Sequence, residues 1–231
     1  MNIPIIHIAG GEVTEGSYDD GFRHSITKLS SIHFVTTDQH RKRVIQLGEN
    51  PRTVFNVGSV GLITLKKKKY LKKKDIEKKL RTKLFKKNVI LTLHPETLGT
   101  INNKKILKCL FEVLNSYKDL KVFITAPNLD KGRDEILEEI LRNSKKLPKK
   151  NIYIPTLGSQ LYYSLAKISD GVIGNSSSGI SEIPSLKVGT LNIGLRQSGR
   201  PMAKSVINLT NVNNINFKKK ISKLFSKKFK K

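Results

Sequence analysis

The loop GNSSSG, residues 174–179, is the part of the sequence best suited to bind an anion. It follows an apolar run at residues 171–173, which is typical of a short buried strand, and leads into an amphipathic turn of helix. A strand that leads through a Gly/Ser loop into a helix presents free backbone N–H groups and hydroxyls to an anion. After the next apolar run, Arg196 and Arg200 add guanidinium groups that suit phosphate oxygens. The pattern predicts a phosphate-binding site, with an ordinary strand-to-helix turn and surface arginines as the alternative.

A second cluster of reactive side chains lies near the N-terminus. Asp19 and Asp20 come about one helical turn before Arg23 and His24, and Glu12 lies in the loop ahead of them. Carboxylates beside Arg and His after the end of a strand favour acid–base chemistry. The same aspartates also suit the first turn of a helix, and the whole group suits a surface ion-pair network. The residues alone therefore leave both acid–base catalysis and a structural role open.

His94 is the third candidate for chemistry. It follows the apolar run at residues 88–93, which is typical of a buried parallel strand, and precedes a proline in the sequence HPET. A histidine just beyond the carboxyl end of such a strand points into the crevice where open α/β sheets bind ligands. The proline restricts the backbone at that point. The spacing predicts a ligand contact, with a loop histidine of no particular role as the alternative.

A parallel sheet has to position these groups. From residue 88 onward, apolar runs typical of strands alternate with amphipathic segments typical of helices, and the loops between them are short. Such alternation predicts an α/β fold whose parallel strands all end at one edge of the sheet. The alternation also covers the N-terminal part, beginning with the apolar run MNIPIIHI at residues 1–8. A strand of this kind usually lies in mid-sheet, which indicates that earlier βα units lie beside it.

Composition shifts divide the chain into four predicted parts. A Lys-rich stretch in which leucines still recur at helical spacing separates two regions of βα alternation, and a second basic stretch follows them. The predicted parts are a remnant of an N-terminal Rossmann-like domain at 1–62, a basic interdomain connection at 63–87, a C-terminal Rossmann-like domain at 88–210 and a basic C-terminal helix at 211–231.

The charge of the chain is extreme. Its 231 residues include 44 Lys and Arg against 18 Asp and Glu, a formal net charge of +26. Such a charge suits nucleic acid or an anionic membrane surface. The excess is nearly all Lys, however, in runs such as 66–69 and 218–220, and the aromatic residues do not interleave with the runs to form platforms on which bases could stack. Lysines on solvated helix faces are the simpler explanation. We therefore predict no nucleic-acid and no membrane partner, and a nucleic-acid binder remains the competing class.

Cysteine and histidine usage limits the possible metal chemistry. Cys109 is the only cysteine, which excludes an internal disulfide and a cysteine-based metal cluster. The five histidines are scattered, so we expect no metal site and no cofactor. Cys109 and His33 lie in apolar patterns and are predicted to be buried, whereas His40 lies on a basic helix face and is predicted to be exposed. The absence of a membrane-spanning apolar run and of a signal peptide predicts a cytoplasmic protein.

Four blocks of the sequence, taken in order, resemble one family. They are HIAGGEVTEGSYDDGFRHSITKLSSIHFVTT from residue 7, LTLHPET from residue 91, APNLDKGRD from residue 126 and VIGNSSSGISEIPSLKVGTLNIGLRQSGR from residue 172. These blocks are similar to the UDP-N-acetylglucosamine 2-epimerases, and most of all to the hydrolysing branch that serves sialic- and legionaminic-type sugar synthesis. Together they span most of the chain.

The resemblance implies a fold and a reaction. The fold is a glycosyltransferase-B-like pair of Rossmann-like domains, here with the N-terminal one incomplete, and a UDP-sugar lies in the cleft between them. The reaction begins with elimination of UDP across C1–C2 to give a glycal, and water addition then releases the free 2-epimeric sugar. The substrate is UDP-N-acetylglucosamine or a UDP-2,4-diacetamido sugar. Elimination needs a base at C2 and stabilisation of the leaving diphosphate.

The resemblance also implies roles for individual residues. Asp19 matches the acid–base aspartate and Arg23 the arginine one turn later, and Glu12 and His94 complete the predicted catalytic set. The nucleoside is expected near residues 157–160. The predicted UDP-binding residues are His94 at the diphosphate, Asn128, Ser176, Ser177, Gly179, Glu182 and Arg196.

The sequence departs from the family pattern in two places. Many relatives carry a catalytic glutamate where this chain has Ala9, and Glu12 is the nearby candidate to replace it. The family also has a further part of the N-terminal domain ahead of the first block. We therefore expect a homo-oligomer or a complex with a separately encoded N-terminal half. The alternatives are a shortened piece that binds UDP-sugar without turnover and an incorrectly assigned start.

Overall fold

The computed structural model describes residues 3–15, 17–96, 102–226 and 229 of the chain. Within these residues, helices flank two parallel sheets, one of three strands and one of six. The predicted α/β class is therefore confirmed. Among the helices of this described part, none combines the length and the apolar character that crossing a membrane requires.

The first sheet contains three parallel strands in the order β1-β2-β3. Its elements are β1 (Ile6–Ile8), α1 (Asp19–Leu29), β2 (Ile32–Val35), α2 (Asp38–Gln46) and β3 (Val54–Asn56). Val35 and Val54 pack with Val44 of α2 in a small core on one side of the sheet. The other side carries Ile6, Ile8 and Phe55, which are 53%, 58% and 47% exposed. We call the side with these three residues the open face.

The Lys-rich stretch between the sheets forms two helices, α3 (Val60–Lys67) and α4 (Lys73–Leu80). The leucine spacing noted in the sequence reflects this, because Leu65 and Leu80 are buried while the lysines remain at the surface. Leu71, between the two helices, donates its backbone N–H to the hydroxyl of Ser164 at 2.9 Å. The connection is therefore packed against the second sheet's layer of helices rather than loose.

The second sheet contains six parallel strands in the order β6-β5-β4-β7-β8-β9. Both of its sides are covered by helices, as an all-parallel sheet requires. Its elements are β4 (Lys87–Thr92), α5 (Asn103–Ser116), β5 (Leu120–Ile124), α6 (Arg133–Lys146), β6 (Asn151–Tyr153), α7 (Gly158–Ile168), β7 (Gly171–Gly174), α8 (Ser177–Ser181), β8 (Thr190–Ile193), β9 (Val206–Leu209) and α9 (Asn214–Leu224).

Alternate residues of β4 supply two separate cores. Val89 and Leu91 face one core, which also contains Phe111 and Phe217 from the helices on that side. Ile90 faces the other core, which holds buried residues of α4 and α7. Because both sides are buried, the strand is a continuous apolar run rather than an alternating one. That is why the sequence pattern identified it so readily.

The end of β7 approaches β4 unusually closely. Gly174 has a φ of +136°, and a Cβ atom at this position would overlap the carbonyl oxygen of Thr92. Only glycine fits such a conformation and such an approach. The chain order reverses between β4 and β7, so this contact lies where an open α/β sheet forms its ligand crevice.

Three expectations about buried residues have different outcomes. His33 is fully buried, as predicted, with Nε2 3.2 Å from Glu49 Oε2. Cys109 is partly buried against the main core. The prediction for His40 was wrong, since it is only 3% exposed. The face of α2 that carries His40 has a basic sequence, which is why exposure was predicted. The loop after β1 covers this face instead, and its Gly11 carbonyl accepts a hydrogen bond from Arg43.

Candidate functional site

A cavity of about 400 Å³ lies at the carboxyl ends of the central strands of the second sheet. Depressions of about 540 and 570 Å³ run along α4 and between α5 and α6, but they lie away from the strand ends. The smaller cavity lies at the reversal of strand order, where a ligand is expected. Its lining is formed by Thr92, His94, Thr125, Ala126, Pro155, Thr156, Gly158, Ser159, Tyr162, Tyr163, Ser176 and Ser178.

His94 is held in one orientation at this cavity. Its Nδ1 accepts a hydrogen bond from the backbone N–H of Asn128 at 3.0 Å. Burial, helped by the charge of Arg196 and opposed by that of Asp130, lowers the pKa of His94 to about 4. The ring is therefore neutral at physiological pH and carries its proton on Nε2. That N–H is available to a ligand in the cavity that His94 lines.

Asn175 fixes the backbone on which His94 stands. Its side chain accepts a hydrogen bond from the His94 N–H at 2.7 Å and donates one to the His94 carbonyl at 2.9 Å. The Asn175 carbonyl in turn accepts from Gln197 Nε2 at 2.8 Å and lies 3.5 Å from Arg196 Nη1. Because Asn175 is 1% exposed, these bonds are shielded from water. Arg196 is thereby held close enough for its charge to act on His94, and most of its five N–H donors make no hydrogen bond among the described residues.

Hydroxyl groups form one wall of the cavity. The Tyr162 and Ser178 hydroxyls lie 2.8 Å apart, and the Ser176 hydroxyl lies 3.3 Å from that of Ser178. Burial raises the pKa of Tyr162 to about 12, so this hydroxyl keeps its proton at physiological pH. Gly158 and Ser159 line the same cavity, within the region where the nucleoside is expected.

Not every residue of the predicted loop faces the cavity. Ser177 is exposed and lies outside the cavity lining. Gly179 is buried against β8, where its carbonyl accepts a hydrogen bond from the Thr190 hydroxyl at 2.6 Å. The structure instead places Ser176 and Ser178 in the lining. Helix α8 has only five residues, so hydroxyl and guanidinium groups outweigh any helix dipole here.

Glu182 lies between the cavity and the N-terminal cluster. Burial raises the pKa of its carboxyl group, while the positive charge of Arg200 acts in the opposite direction and the charge of Glu12 adds to the rise. Its Oε1 would lie 2.8 Å from a Cβ atom on Gly61, near the start of α3. The absence of a side chain at residue 61 thus leaves room for the carboxylate.

The N-terminal cluster forms around Asp20 rather than Asp19. Asp20 Oδ1 accepts a hydrogen bond from the Thr14 N–H at 2.6 Å and lies 3.8 Å from Arg23 Nη1. Its Oδ2 lies 3.5 Å from His24 Nε2. The side chain of Asp19 is exposed and makes no hydrogen bond or ion pair within the described part of the chain. Both aspartates belong to the first turn of α1, but only Asp19 has a carboxylate free for a ligand.

Arg200 joins the two predicted halves of the site. Its Nη2 lies 3.3 Å from Glu12 Oε2, and its Nε donates to the Thr14 hydroxyl at 3.2 Å. Beside this pair, the Glu15 N–H donates to the Ser198 carbonyl at 3.1 Å. The expectation that Arg200 shares the phosphate role of Arg196 therefore changes. Arg200 binds the loop after β1, and Arg196 is the arginine beside the cavity.

Sequence reasoning missed the residues that hold the loops together. Asn175, Glu96 and Gln197 make their main contacts with backbone groups of other loops, and such contacts leave no periodic signal. Their position directly after strand ends was the available signal, because polar residues there converge at one edge of the sheet. Tyr162 was missed because its apolar spacing resembled a core helix. Among the described residues, no three His, Cys, Asp or Glu side chains are grouped to hold a metal ion.

A family model described as UDP-N-acetylglucosamine 2-epimerase matches residues 1–231. The chain therefore belongs to the UDP-N-acetylglucosamine 2-epimerase family, and the resemblance seen in the sequence is confirmed.

Two curated relatives narrow the comparison. The chain is 42% identical over 231 residues to the GDP/UDP-N,N'-diacetylbacillosamine 2-epimerase (hydrolyzing) of Campylobacter jejuni, a match covering 100% of this chain and 59% of that protein. It is 42% identical over 209 residues to the polysialic acid biosynthesis protein P7 of Escherichia coli, covering 90% of this chain and 53% of that protein. The chain thus spans little more than half the length of these relatives and matches their C-terminal part.

Solved structures share the fold at lower identity. The Methanocaldococcus jannaschii UDP-GlcNAc 2-epimerase in complex with UDP-GlcNAc and UDP matches with a TM-score of 0.74 and 18% identity, over 98% of this chain and 64% of that chain. The Staphylococcus aureus MnaA–UDP structure matches with a TM-score of 0.71 and 18% identity, over 99% of this chain and 62% of that chain. The predicted glycosyltransferase-B-like fold, with partial coverage of the N-terminal domain, is therefore confirmed.

Proposed function

We propose that the chain carries the UDP-binding and part of the catalytic machinery of a hydrolysing UDP-sugar 2-epimerase. The observation that carries the proposal is the cavity at the reversal of strand order, whose lining includes His94, Ser176 and Tyr162, with the charge of Arg196 acting on His94. Neutral N–H and O–H donors beside a guanidinium suit a diphosphate that gains negative charge as it leaves. The substrate class we propose is UDP-N-acetylglucosamine or a UDP-2,4-diacetamido sugar, as the sequence suggests, and the proposed compartment is the cytoplasm.

In the first stage, a base removes the proton on C2 of the sugar while the bond from C1 to the diphosphate oxygen breaks. The electron pair of the C–H bond forms the C1=C2 double bond, and UDP leaves with the electrons of the broken C–O bond. The Nε2–H of His94 and the guanidinium of Arg196 stabilise the departing charge from fixed positions, so little reorganisation is needed as the reaction proceeds.

In the second stage, water adds its hydroxyl at C1, and an acid delivers a proton to the opposite side of C2. The product is the free 2-epimeric sugar. We propose Asp19 for proton transfer because its carboxylate is uncommitted, with Arg23 near it on α1. Glu12 remains a predicted member of the catalytic set, although its carboxylate is paired with Arg200.

Two measurements separate binding from turnover. Calorimetric titration of the chain with UDP tests the cavity, and we expect micromolar affinity that Arg196→Ala weakens. Release of UDP and free sugar from UDP-N-acetylglucosamine and from a UDP-2,4-diacetamido sugar tests catalysis. Binding without release would favour the alternative that this chain binds the UDP-sugar but does not turn it over alone. An affinity for UDP that neither Arg196→Ala nor Ser176→Ala weakens would overturn the proposed cavity.

We also propose a partner segment for the open face. A parallel sheet is normally covered on both sides, yet Ile6, Ile8 and Phe55 are about half exposed, and no strand of the described residues pairs with the outer edge of β1. About two-fifths of the Campylobacter relative lies outside the match, on the N-terminal side. The occupant we propose is a βα-rich polypeptide segment equivalent to that N-terminal portion, which would pair with β1 and cover the open face.

The N-terminal portion of the Campylobacter relative serves as the probe for this partner. We expect it to form a 1:1 complex with the chain by analytical ultracentrifugation and to raise turnover. Ile8→Lys should prevent the complex, whereas Ile215→Lys, at an exposed isoleucine on α9, should leave it unchanged. Self-association of the chain through the same residues, with no binding of the probe, would assign the open face to a second copy instead.

A further inference from the structure

Glu96 links two loops of the candidate site. It lies two residues after His94, and its Oε1 accepts a hydrogen bond from the Leu195 N–H at 2.8 Å. The same oxygen lies 3.4 Å from the backbone nitrogen of Arg196. A carboxylate that accepts from consecutive backbone N–H groups makes charge-assisted bonds, which are stronger than neutral ones. The loop after β4 thus holds the loop after β8 at the residue that carries the guanidinium.

Gly194 makes this contact possible. Its φ is +78°, and a Cβ atom at this position would overlap Glu96 Oε1. Any other residue at position 194 would therefore have to displace the carboxylate from the two N–H groups as well as adopt a strained backbone. The short stretch from Gly194 to Arg196 is shaped around the side chain of Glu96.

Three loops are closed into one hydrogen-bonded circuit. Asn175, after β7, binds the backbone of His94, after β4. Gln197, after β8, binds the Asn175 carbonyl. Glu96 completes the circuit by returning from the loop after β4 to the loop after β8. Each loop is therefore tied to both of the others, and the Glu96 carboxylate is the charged link.

We infer that Glu96 is a positioning residue that orients Arg196 toward the diphosphate of the bound nucleotide, an inference that rests on the proposed UDP-binding function. Glu96 need not touch the ligand, because its Oε1 is engaged with the loop after β8 and its Oε2 is buried. Its effect on affinity passes through Arg196. Removing Glu96 should therefore cost nothing once Arg196 has been removed.

Hydrogen exchange tests the contact without any ligand. In Glu96→Ala the Leu195 amide should exchange with solvent at least tenfold faster than in the wild type. Glu96→Gln keeps an acceptor oxygen and should largely restore protection, and Glu138→Ala, at an exposed glutamate on α6, should leave it unchanged. Unaltered protection of the Leu195 amide in Glu96→Ala would overturn the inference, whether or not the chain binds UDP.

A double-mutant cycle for UDP binding tests the route through Arg196. We expect Glu96→Ala to weaken UDP binding about tenfold, Glu96→Gln to recover most of the loss, and the double variant with Arg196→Ala to bind no more weakly than Arg196→Ala alone. Losses that multiply in the double variant would overturn the positioning role. If the wild type itself fails to bind UDP, the proposed function fails, and the exchange measurement decides whether Glu96 orders the loop.

Discussion

The backbone N–H of Asn128 donates to Nδ1 of His94 at 3.0 Å. Because Nδ1 is the acceptor, the proton of the neutral ring must lie on Nε2. The loop after β5 therefore decides which proton the loop after β4 can offer to a ligand. A single backbone bond between two loops sets the chemical character of the candidate site.

We expect His94 to make stability depend on pH. Its pKa is about 4 in the folded chain and 6.5 when unperturbed, so the unfolded state binds more protons between these values. The free energy of unfolding should therefore fall as the pH is lowered from 6.5 to 4, by about 1.4 kcal/mol per pH unit from this residue. Urea denaturation of wild type and His94→Gln across this range measures the difference. Gln keeps an acceptor for the Asn128 N–H but does not titrate.

The comparison of wild type with His94→Gln also controls for the other groups that titrate in this pH range. His7 and His40 also have pKa values lowered mainly by burial, so they add a slope of the same sign to both proteins. Glu182, whose pKa burial raises, adds a slope of opposite sign to both, because its contribution is lost as the pH rises through its folded-state pKa. Only the difference between the pH slopes of the two proteins therefore measures the contribution of His94. Equal slopes for wild type and His94→Gln would show that the ring is not held neutral.

Replacing Arg196 should alter the titration of His94. The positive charge of Arg196 contributes to the lowered pKa of His94, so Arg196→Ala should raise that pKa toward its ordinary value without reaching it, since burial is the larger cause. NMR titration of the His94 ring protons measures the change. Arg142→Ala, on α6 and paired with Glu139, is the matched control and should leave the titration unchanged. A pKa that stays fixed in Arg196→Ala would place the guanidinium farther from the ring than the structure does.

The ion pair between Glu12 and Arg200 should stabilise the contact between the two sheets' loops. Its side chains are only 25% and 15% exposed, so removing Arg200 leaves a poorly hydrated carboxylate. We expect Arg200→Ala to lower the free energy of unfolding by about 1–3 kcal/mol, and the double variant with Glu12→Ala to recover part of the loss. The pair of Arg133 and Asp134, whose side chains are 31% and 95% exposed, should show less coupling in the same cycle. Additive losses for Glu12 and Arg200 would remove the pair as a stabilising contact.

Substitutions of the two neighbouring aspartates should have different effects, Asp20 mainly on stability and Asp19 mainly on catalysis. Asp20→Ala loses the bond from the Thr14 N–H and the contacts with Arg23 and His24, and should lower the free energy of unfolding by about 1–3 kcal/mol. Asp19→Ala should change it by no more than about 0.5 kcal/mol, since the side chain is exposed. Asp19→Asn should abolish turnover and leave UDP affinity nearly intact, both measured in the complex of the chain with the N-terminal portion of the Campylobacter relative. An active Asp19→Asn enzyme would shift the proton-transfer role to Asp20 or Glu12.

The sequence was most informative where burial is one-sided or complete. The apolar run at residues 88–93 is determined by local burial, so the sequence pattern located β4 to within one residue at each end. The final helix was less well placed. It was predicted only as a basic helix within residues 211–231, whereas it runs from Asn214 to Leu224 because Asn213 supplies an N-cap that hydrophobicity does not reveal.

The sequence was least informative where contacts depend on distant loops. His40 is buried because the loop after β1 covers it, and Asp20 is engaged because Thr14 turns back toward it. Neither contact follows from the spacing of neighbours along the chain. Glu96 and Asn175 were missed for the same reason, since their partners are backbone groups of loops that follow other strands.

The fit of Gly194 around Glu96 has a consequence for how these sequences diverge. A side chain at position 194 is admissible only if the acid at position 96 is given up, and losing that acid frees the loop that carries Arg196. A residue other than glycine at position 194 should therefore occur only together with loss of the acid at position 96. In other members of the family, the residues at the positions of Gly194 and Glu96 should therefore be examined together when judging whether the nucleotide pocket is intact.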